Sequence, residues 1–283
     1  MKKLSNFDLK VFAIIFMIID HIGYFFSFAL SSDVYITFRI IGRLAMPIFA
    51  YLVAEGIYYT KDIKKYIARL GIFAIVTQAL LILIDYIQVK IGNVKLANIS
   101  SSANILFSFM FAAIVIMLIC KFIEKAKKTF FVKNKNLNLK DILKNVVVMF
   151  FEFLAVIFIF VLFKILKFDY GINAFLLVVL ISIINKIYKI RNIERIGNLS
   201  YYILVFLSLF LLCFPIKNYS YIRLFSIVFI LFYSGKKGKY SKYLFYIAYL
   251  LQYIIISISS IIVFMHFWYI VYINTLQEKI IVV

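Results

Sequence analysis

An acid and an imidazole stand side by side at Asp20 and His21, inside the first membrane-length apolar stretch of the chain, Leu9 to Leu30. Apart from Lys10 at its start, that stretch carries no other charged side chain. A carboxylate at the bilayer centre costs about 2.5–3.5 kcal/mol on insertion scales, so such residues face a bundle interior or a wet cavity. An acid beside an imidazole is also the smallest unit that orients a base and moves a proton near neutral pH. The second apolar stretch, residues 35–59, adds Arg39 and Arg43, four positions apart and therefore on one helical face. Only Ser31 to Val34 separates the two stretches, which makes them neighbours. At about 1.5 Å of rise per residue, the arginines come to roughly the depth of the Asp20–His21 pair. Two readings stand: an arginine on Asp20 as a buried ion pair that locks two helices, or a four-residue reactive cluster. Successive helical residues point about 100° apart, so Asp20 serves either its neighbouring imidazole or Arg39 or Arg43.

The elements that position these groups follow from composition. The chain has 283 residues, is 65% hydrophobic and has a mean hydropathy of +1.03. Soluble domains sit near about 45–50% apolar, so this excess belongs to a membrane class. Unbroken apolar runs of about 20 residues are helix length across a bilayer, which excludes the alternating pattern of a membrane barrel. The reading is an all-α, polytopic helical bundle forming one integral membrane domain over residues 1–283. It has about nine spans (eight to ten): 9–30, 35–59, 66–89, 104–123, 145–167, 170–190, 198–216, 220–234 and 242–275. The eighth is the shortest, and the last is long enough to tilt or to break near Ser257–Ser260. The first span ends without a clean small-residue cleavage site and is read as a retained helix rather than a signal peptide.

The formal net charge of +20 could point to nucleic acid. Alternating the connections instead sorts the Lys and Arg residues 23 to 7 between the two sides, which is the positive-inside pattern with the N-terminus in the cytoplasm. Nucleic acid is therefore not the expected partner; topology and anionic lipid headgroups account for the charge. Cys120 and Cys213 lie in separate apolar runs without a nearby ligand set, so they are read as small buried hydrophobes with no metal and no disulfide.

Further polar residues punctuate the spans. Glu55-Gly56 faces either a substrate cavity or water at the interface. Gln78 reads as a helix-packing amide, Asp85 as solvated near the outer surface, and Glu152 as deep enough to need a partner. His266 sits in an aromatic run typical of a membrane-interface belt. Gly42, Ala45 and Pro47 let a backbone approach and loosen the second span beside its arginines. After that span, Lys65 and Arg69 share one face. They read either as an ordinary basic loop or as contacts for a phosphate-rich ligand.

The run Lys10 to Gly23 (KVFAIIFMIIDHIG) resembles the opening of the TraX family of bacterial membrane proteins. So do Arg39 to Ala50 (RIIGRLAMPIFA), Glu55-Gly56, and Tyr66 to Leu70. Asn104 to Ser108, Asp169 to Ile172 and Lys242 to Tyr246 extend the likeness along the chain. That family is distantly similar to the membrane acyltransferase superfamily, in which a basic residue precedes an intramembrane His by eleven positions, as Lys10 precedes His21 here. The resemblance implies a bacterial inner-membrane acetyltransferase with acetyl-CoA as donor and no metal. It assigns catalysis to His21 with Asp20 beside it and Arg39 or Arg43 for developing negative charge. Lys10, Glu55, Lys65 and Arg69 are then expected on the cofactor side. The acceptor would be a pilin-like protein or a surface glycan, with membrane lipids as surroundings. The alternative is a non-catalytic transporter or conjugation and pilus-assembly factor. One departure stands out: where the resemblance leads one to expect a late His, this chain has Tyr249-Leu250-Leu251-Gln252.

Overall fold

A computed structural model of the chain describes residues 3–92, 99–131, 139–213, 219–239 and 243–281. Six of the lysines counted above (Lys2, Lys95, Lys133, Lys135, Lys217 and Lys242) lie outside the described residues, as do residues 93–98 between the third and fourth spans. Helix dominates, and among the described residues there is no strand, only the isolated bridges Leu4–Tyr233 and Ala103–Phe168.

Helix α1 (Asn6–Phe25) starts at a capping box. The Ser5 hydroxyl accepts from the Asp8 amide at 3.3 Å, and the Asp8 carboxylate accepts from the Ser5 amide at 2.8 Å. The second predicted span is two helices, α2 (Ser32–Gly42) and α3 (Ala45–Tyr59), broken at Arg43-Leu44. Pro47 explains the position of the break. It has no amide hydrogen, and its ring crowds the carbonyl four residues back, that of Arg43. The Arg43 and Leu44 amides fall back on Ile40 and Ile41 carbonyls at 3.1 and 3.2 Å. Helix α4 (Ile63–Lys90) is capped by Asp62, which accepts from the Lys65 amide at 3.0 Å. Then come α5 (Ile105–Ala126), α6 (Leu139–Ile165), α7 (Ile172–Ile190), α8 (Leu199–Cys213), α9 (Ser226–Leu231) and α10 (Leu244–Ile281).

Among the described residues, six helical stretches are long and apolar enough to cross a membrane: Ser32–Tyr59, Ile63–Lys90, Ile105–Phe130, Ile142–Phe163, Ile172–Ile190 and Phe245–Ile270. Helix α1 has the length but carries Asp8, Lys10 and Asp20. Helix α8, at 15 residues, covers about 22 Å against a hydrocarbon core of about 30 Å. The expected eighth span forms no membrane-length helix; Ser220–Phe225 is a 3₁₀ segment and α9 adds six residues. Its start is fixed by Tyr219 in the left-handed region (φ 61°) and its middle carries Arg223. Nor does the last span break. Ser257 and Ser260 donate to the Ile254 and Phe25 carbonyls at 3.2 and 2.7 Å, so their hydroxyls are satisfied inside an intact helix.

Contacts between connections gather at the two ends of the bundle. Leu4 and Asn6 pair with Phe232 and Lys236, and Glu55 pairs with Arg195, at one end of the bundle. Asp85 with Ile99, Ala103 with Lys167, and Tyr170 with Arg223 meet at the other. The core holds Leu9, Ile48, Tyr51, Leu70, Phe175, Leu177, Ile181 and Tyr201, all fully or almost fully buried. Large apolar side chains stand exposed along α4, α6 and α10, such as Ile75, Phe151, Phe158 and Ile262. An exposed apolar surface of this extent is lipid-facing in a multi-pass membrane protein.

Two intramembrane acids differ in fate. Glu152 takes Lys125 at 2.5 Å, the partner its depth requires. Asp85 is not solvated; it is buried and accepts from the Ile99 and Ser100 amides at 3.0 and 2.7 Å, closing the α4–α5 connection onto its helix. Gln78 serves the same connection, donating to the Ser100 and Ser102 carbonyls at 3.2 and 3.3 Å. Both cysteines are free; Cys213 is buried, whereas Cys120 is half-buried and accepts from the Lys186 ammonium at 2.7 Å.

Candidate functional site

A cavity of about 590 Å³ runs through the bundle beside α1. Ligand pockets of about 300–1,000 Å³ include this size. Lys10 and His21 both line it, eleven residues apart on α1, hence separated by about 16 Å along the helix axis. At the N-terminal end of the bundle its walls include Lys10, Tyr66, Arg69, Lys237, Lys239 and Tyr246; at the His21 end they include Asp20, Arg39, Arg43, Asp169, Tyr170 and Tyr253.

The adjacent pair of α1 divides its attention. Asp20 turns to α2, where its carboxylate accepts from the Arg39 guanidinium at 2.8 Å, and Arg39 also donates to the Asp20 carbonyl at 3.3 Å. Arg39 lies over the Tyr24 ring at 5.7 Å. Gly42 makes the approach of α2 possible, because a Cβ there would land on the Asp20 side chain. The other carboxylate oxygen, Oδ1, is buried without a hydrogen-bond partner. His21 turns to α10. Its Nδ1 lies 3.0 Å from Gln252 Oε1, and its Nε2 lies 3.2 Å from the Tyr253 hydroxyl, with the two rings 4.6 Å apart. An amide oxygen only accepts, so Nδ1 carries the proton and Nε2 presents its lone pair to Tyr253. The residue in place of the expected late His is therefore the one that sets the tautomer of His21. Asp20 is not hydrogen-bonded to the His21 ring; the roughly 100° helical step sends the two side chains to different neighbours.

Arg43, at the helix break, lines the cavity, and among the described residues it forms no ion pair. Beside it is the α6–α7 connection, where Tyr170 (φ 59°) and Gly171 (φ 56°) are both left-handed and the Asp169 amide donates to the Ala103 carbonyl at 2.8 Å. Burial, with the nearby Asp20 charge second, pushes the Asp169 carboxyl up to about 6.

Glu55 lines the cavity but is not water-facing. It is fully buried and bound by Arg195, which also donates to Asn185 at 2.8 Å. Asn185 donates to Glu55 at 3.2 Å and accepts from the Tyr201 hydroxyl at 2.8 Å. The Arg195 guanidinium stacks 3.7 Å from the Tyr58 ring centre. Arg195 counts toward the positive-inside tally, yet it is only 5% exposed and locks the α7–α8 connection onto α3.

Of the expected ligand-side residues, Lys10 and Arg69 line the cavity and Lys65 does not. Lys65 projects into solvent with 80% of its side chain exposed, 3.5 Å from the Asp62 carboxylate, because the first turn of α4 turns it away from the bundle. Tyr253, Lys237, Lys239 and Arg195 carry no mark of a site in the sequence, and Gln252 shows there only as a departure from the expected late His. An amide inside an apolar run was the one local signal, at Gln252.

Comparison with known proteins places this arrangement. The probable fimbrial assembly protein FimC, serogroup H1, of Dichelobacter nodosus is 31% identical over 117 residues. The alignment spans 40% of this chain and 46% of that protein, so less than half of the relative's length is covered. No solved structure matches the chain. The model of the TraX protein family matches residues 5–260, which takes in the cavity, its basic end and the His21 cluster, and the chain belongs to that family.

Proposed function

We propose that this protein serves the assembly of pili or related surface structures from within the bacterial cytoplasmic membrane, and that it does so as an acyltransferase. The observation that carries the reading is the cavity joining the basic end of the bundle to His21. A scaffold needs Asp20 and Arg39 paired in a closed interior. A transferase needs that pair beside an open path from a charged donor to a base. The name of the fimbrial relative supports the assembly role.

In this reading acetyl-CoA, or another acyl-CoA, enters from the cytoplasm past Lys10 and Arg69, and its thioester reaches the level of His21. The acceptor amine or hydroxyl attacks the thioester carbonyl. Its proton passes to the Tyr253 oxygen while the Tyr253 proton passes to His21 Nε2, 3.2 Å away. Gln252 holds the Nδ1 proton in place during the transfer. Arg43, free of a carboxylate partner, faces the developing oxyanion. Collapse breaks the carbon–sulfur bond, and the leaving thiolate takes the proton back from His21. Arg39 holds Asp20 and does not act on substrate.

The test is transfer of radiolabelled acetyl from acetyl-CoA to a membrane extract containing pilin. His21→Ala is expected to lower transfer by about 10²–10⁴-fold, the range of a general base. Equal transfer by both proteins removes His21 from the chemistry. A second reading, a non-catalytic assembly factor, is favoured by the name of the fimbrial relative. It requires His21→Ala to restore pili fully in cells lacking the protein.

A further inference from the structure

The loop before α10 reads Ser234-Gly235-Lys236-Lys237-Gly238-Lys239. It is fastened to the start of the chain. Leu4 and Asn6 amides donate to the Phe232 and Lys236 carbonyls at 2.7 and 2.8 Å, and the Ser234 amide and hydroxyl donate to the Leu4 carbonyl at 2.8 and 2.9 Å. The Phe7 amide reaches the Lys237 carbonyl at 3.2 Å. Gly238 lies in the left-handed region (φ 70°), and a Cβ there would collide with Ser5. The loop backbone is thus held against the N-terminus of α1 before any ligand arrives. The amides of Asn6 and Phe7 are consumed by the loop, so what the loop offers is side-chain charge.

Lys237 and Lys239 line the cavity together with Lys10 and Arg69. Their surroundings leave that charge unpaired. Asp8 is occupied by Ser5, Glu55 by Arg195 and Asp20 by Arg39. Among the described ion pairs, none involves Lys10, Arg69, Lys237 or Lys239. Lys10 and Arg69 are braced by aromatic rings, at 4.8 Å from Phe245 and 5.6 Å from Tyr66. Lys237 and Lys239 are exposed at this mouth, and four cations lining one opening without an acid repel one another until an anion joins them.

We propose that Lys237 and Lys239, with Lys10 and Arg69, form a binding site for the phosphate of an anionic ligand. Resting on the acyltransferase reading, that ligand is the phosphate end of the thioester donor. The loop supplies the charge that Lys65 does not. The same chemistry could be met by an anionic lipid headgroup, and the two sources separate experimentally.

The experiment uses the full chain in nanodiscs of phosphatidylcholine alone, titrated with coenzyme A, dephospho-coenzyme A and pantetheine. Coenzyme A is expected to bind more tightly than dephospho-coenzyme A, and pantetheine, which has no phosphate, most weakly. The double variant Lys237→Gln/Lys239→Gln should weaken coenzyme A binding about tenfold or more, a change worth about 1.4 kcal/mol. The same variant should leave pantetheine binding unchanged. Lys65→Gln should leave both unchanged. Undiminished coenzyme A binding by the double variant overturns the site. A second arm measures capture of labelled phosphatidylglycerol. If wild type binds no coenzyme A, the donor reading falls. Phosphatidylglycerol capture lost in the double variant then still supports a phosphate site, for headgroups. Absence of both overturns it.

Discussion

The ion pair between α1 and α2 makes a quantitative demand. Asp20 and Arg39 meet at 2.8 Å with side chains 9% and 25% exposed, and Asp20 Oδ1 already lacks a partner. Arg39→Met removes the guanidinium that also donates to the Asp20 carbonyl. The carboxylate is then left charged in an apolar interface with no hydrogen-bond donor. Breaking a buried pair from one side costs about 3–5 kcal/mol. Because a quarter of the Arg39 side chain is exposed and the residue lines the cavity, the lower end of that range applies. At about 2–4 °C per kcal/mol for a chain of this size, the loss is about 6–12 °C in Tm. The assay is thermal unfolding in detergent, followed by helical circular dichroism. Asp20→Asn in the Arg39→Met background removes the stranded charge and should recover most of the loss. An Arg39→Met protein within about 1 kcal/mol of wild type would refute the argument, as would a double variant whose loss is the sum of the singles.

Two further outcomes follow from the same physics. Arg195→Ala strands Glu55, whose side chain is 0% exposed, and should cost about 3–5 kcal/mol, whereas Glu55→Leu with Arg195→Met should restore most of that in the same unfolding measurement. Asp169 keeps its proton up to about pH 6 in the fold but only to its ordinary value of 3.8 when unfolded. Between those values the native state binds more protons, so stability falls as pH rises, and Asp169→Asn should flatten that slope in a Tm series from about pH 4 to 7.

Local sequence carries position where the contact it makes spans only a few residues. Ser5 with Asp8, Asp62 before α4 and Asn104 before α5 each announce a helix start that the structure uses, since a cap is a contact over two or three residues. Pro47 likewise states where α3 begins, because a missing amide acts on the carbonyl four residues back. The Asp20–Arg39 contact was legible as one of two choices, from span depth and a short connection. The choice itself fell to Gly42, whose lack of a side chain lets α2 close on Asp20. Helix count was less legible. Hydropathy integrates over a window and does not see that Ser220–Leu231 folds as a 3₁₀ segment and a six-residue helix.

The sequence by itself determined that the chain is a multi-pass membrane protein built of helices, that its basic residues are concentrated in some connections rather than others, and that costly polar groups collect near His21. Those properties follow from apolar run length and the price of charge in hydrocarbon, which are local. Only the tertiary structure decided that His21 meets Gln252 and Tyr253, about 230 positions away, and that Arg195 is buried on Glu55. It also decided that the lysines at the cavity mouth are Lys237 and Lys239 rather than Lys65. Those pairings depend on which helix faces pack together, and every lysine in a basic loop looks alike until the backbone around it is placed.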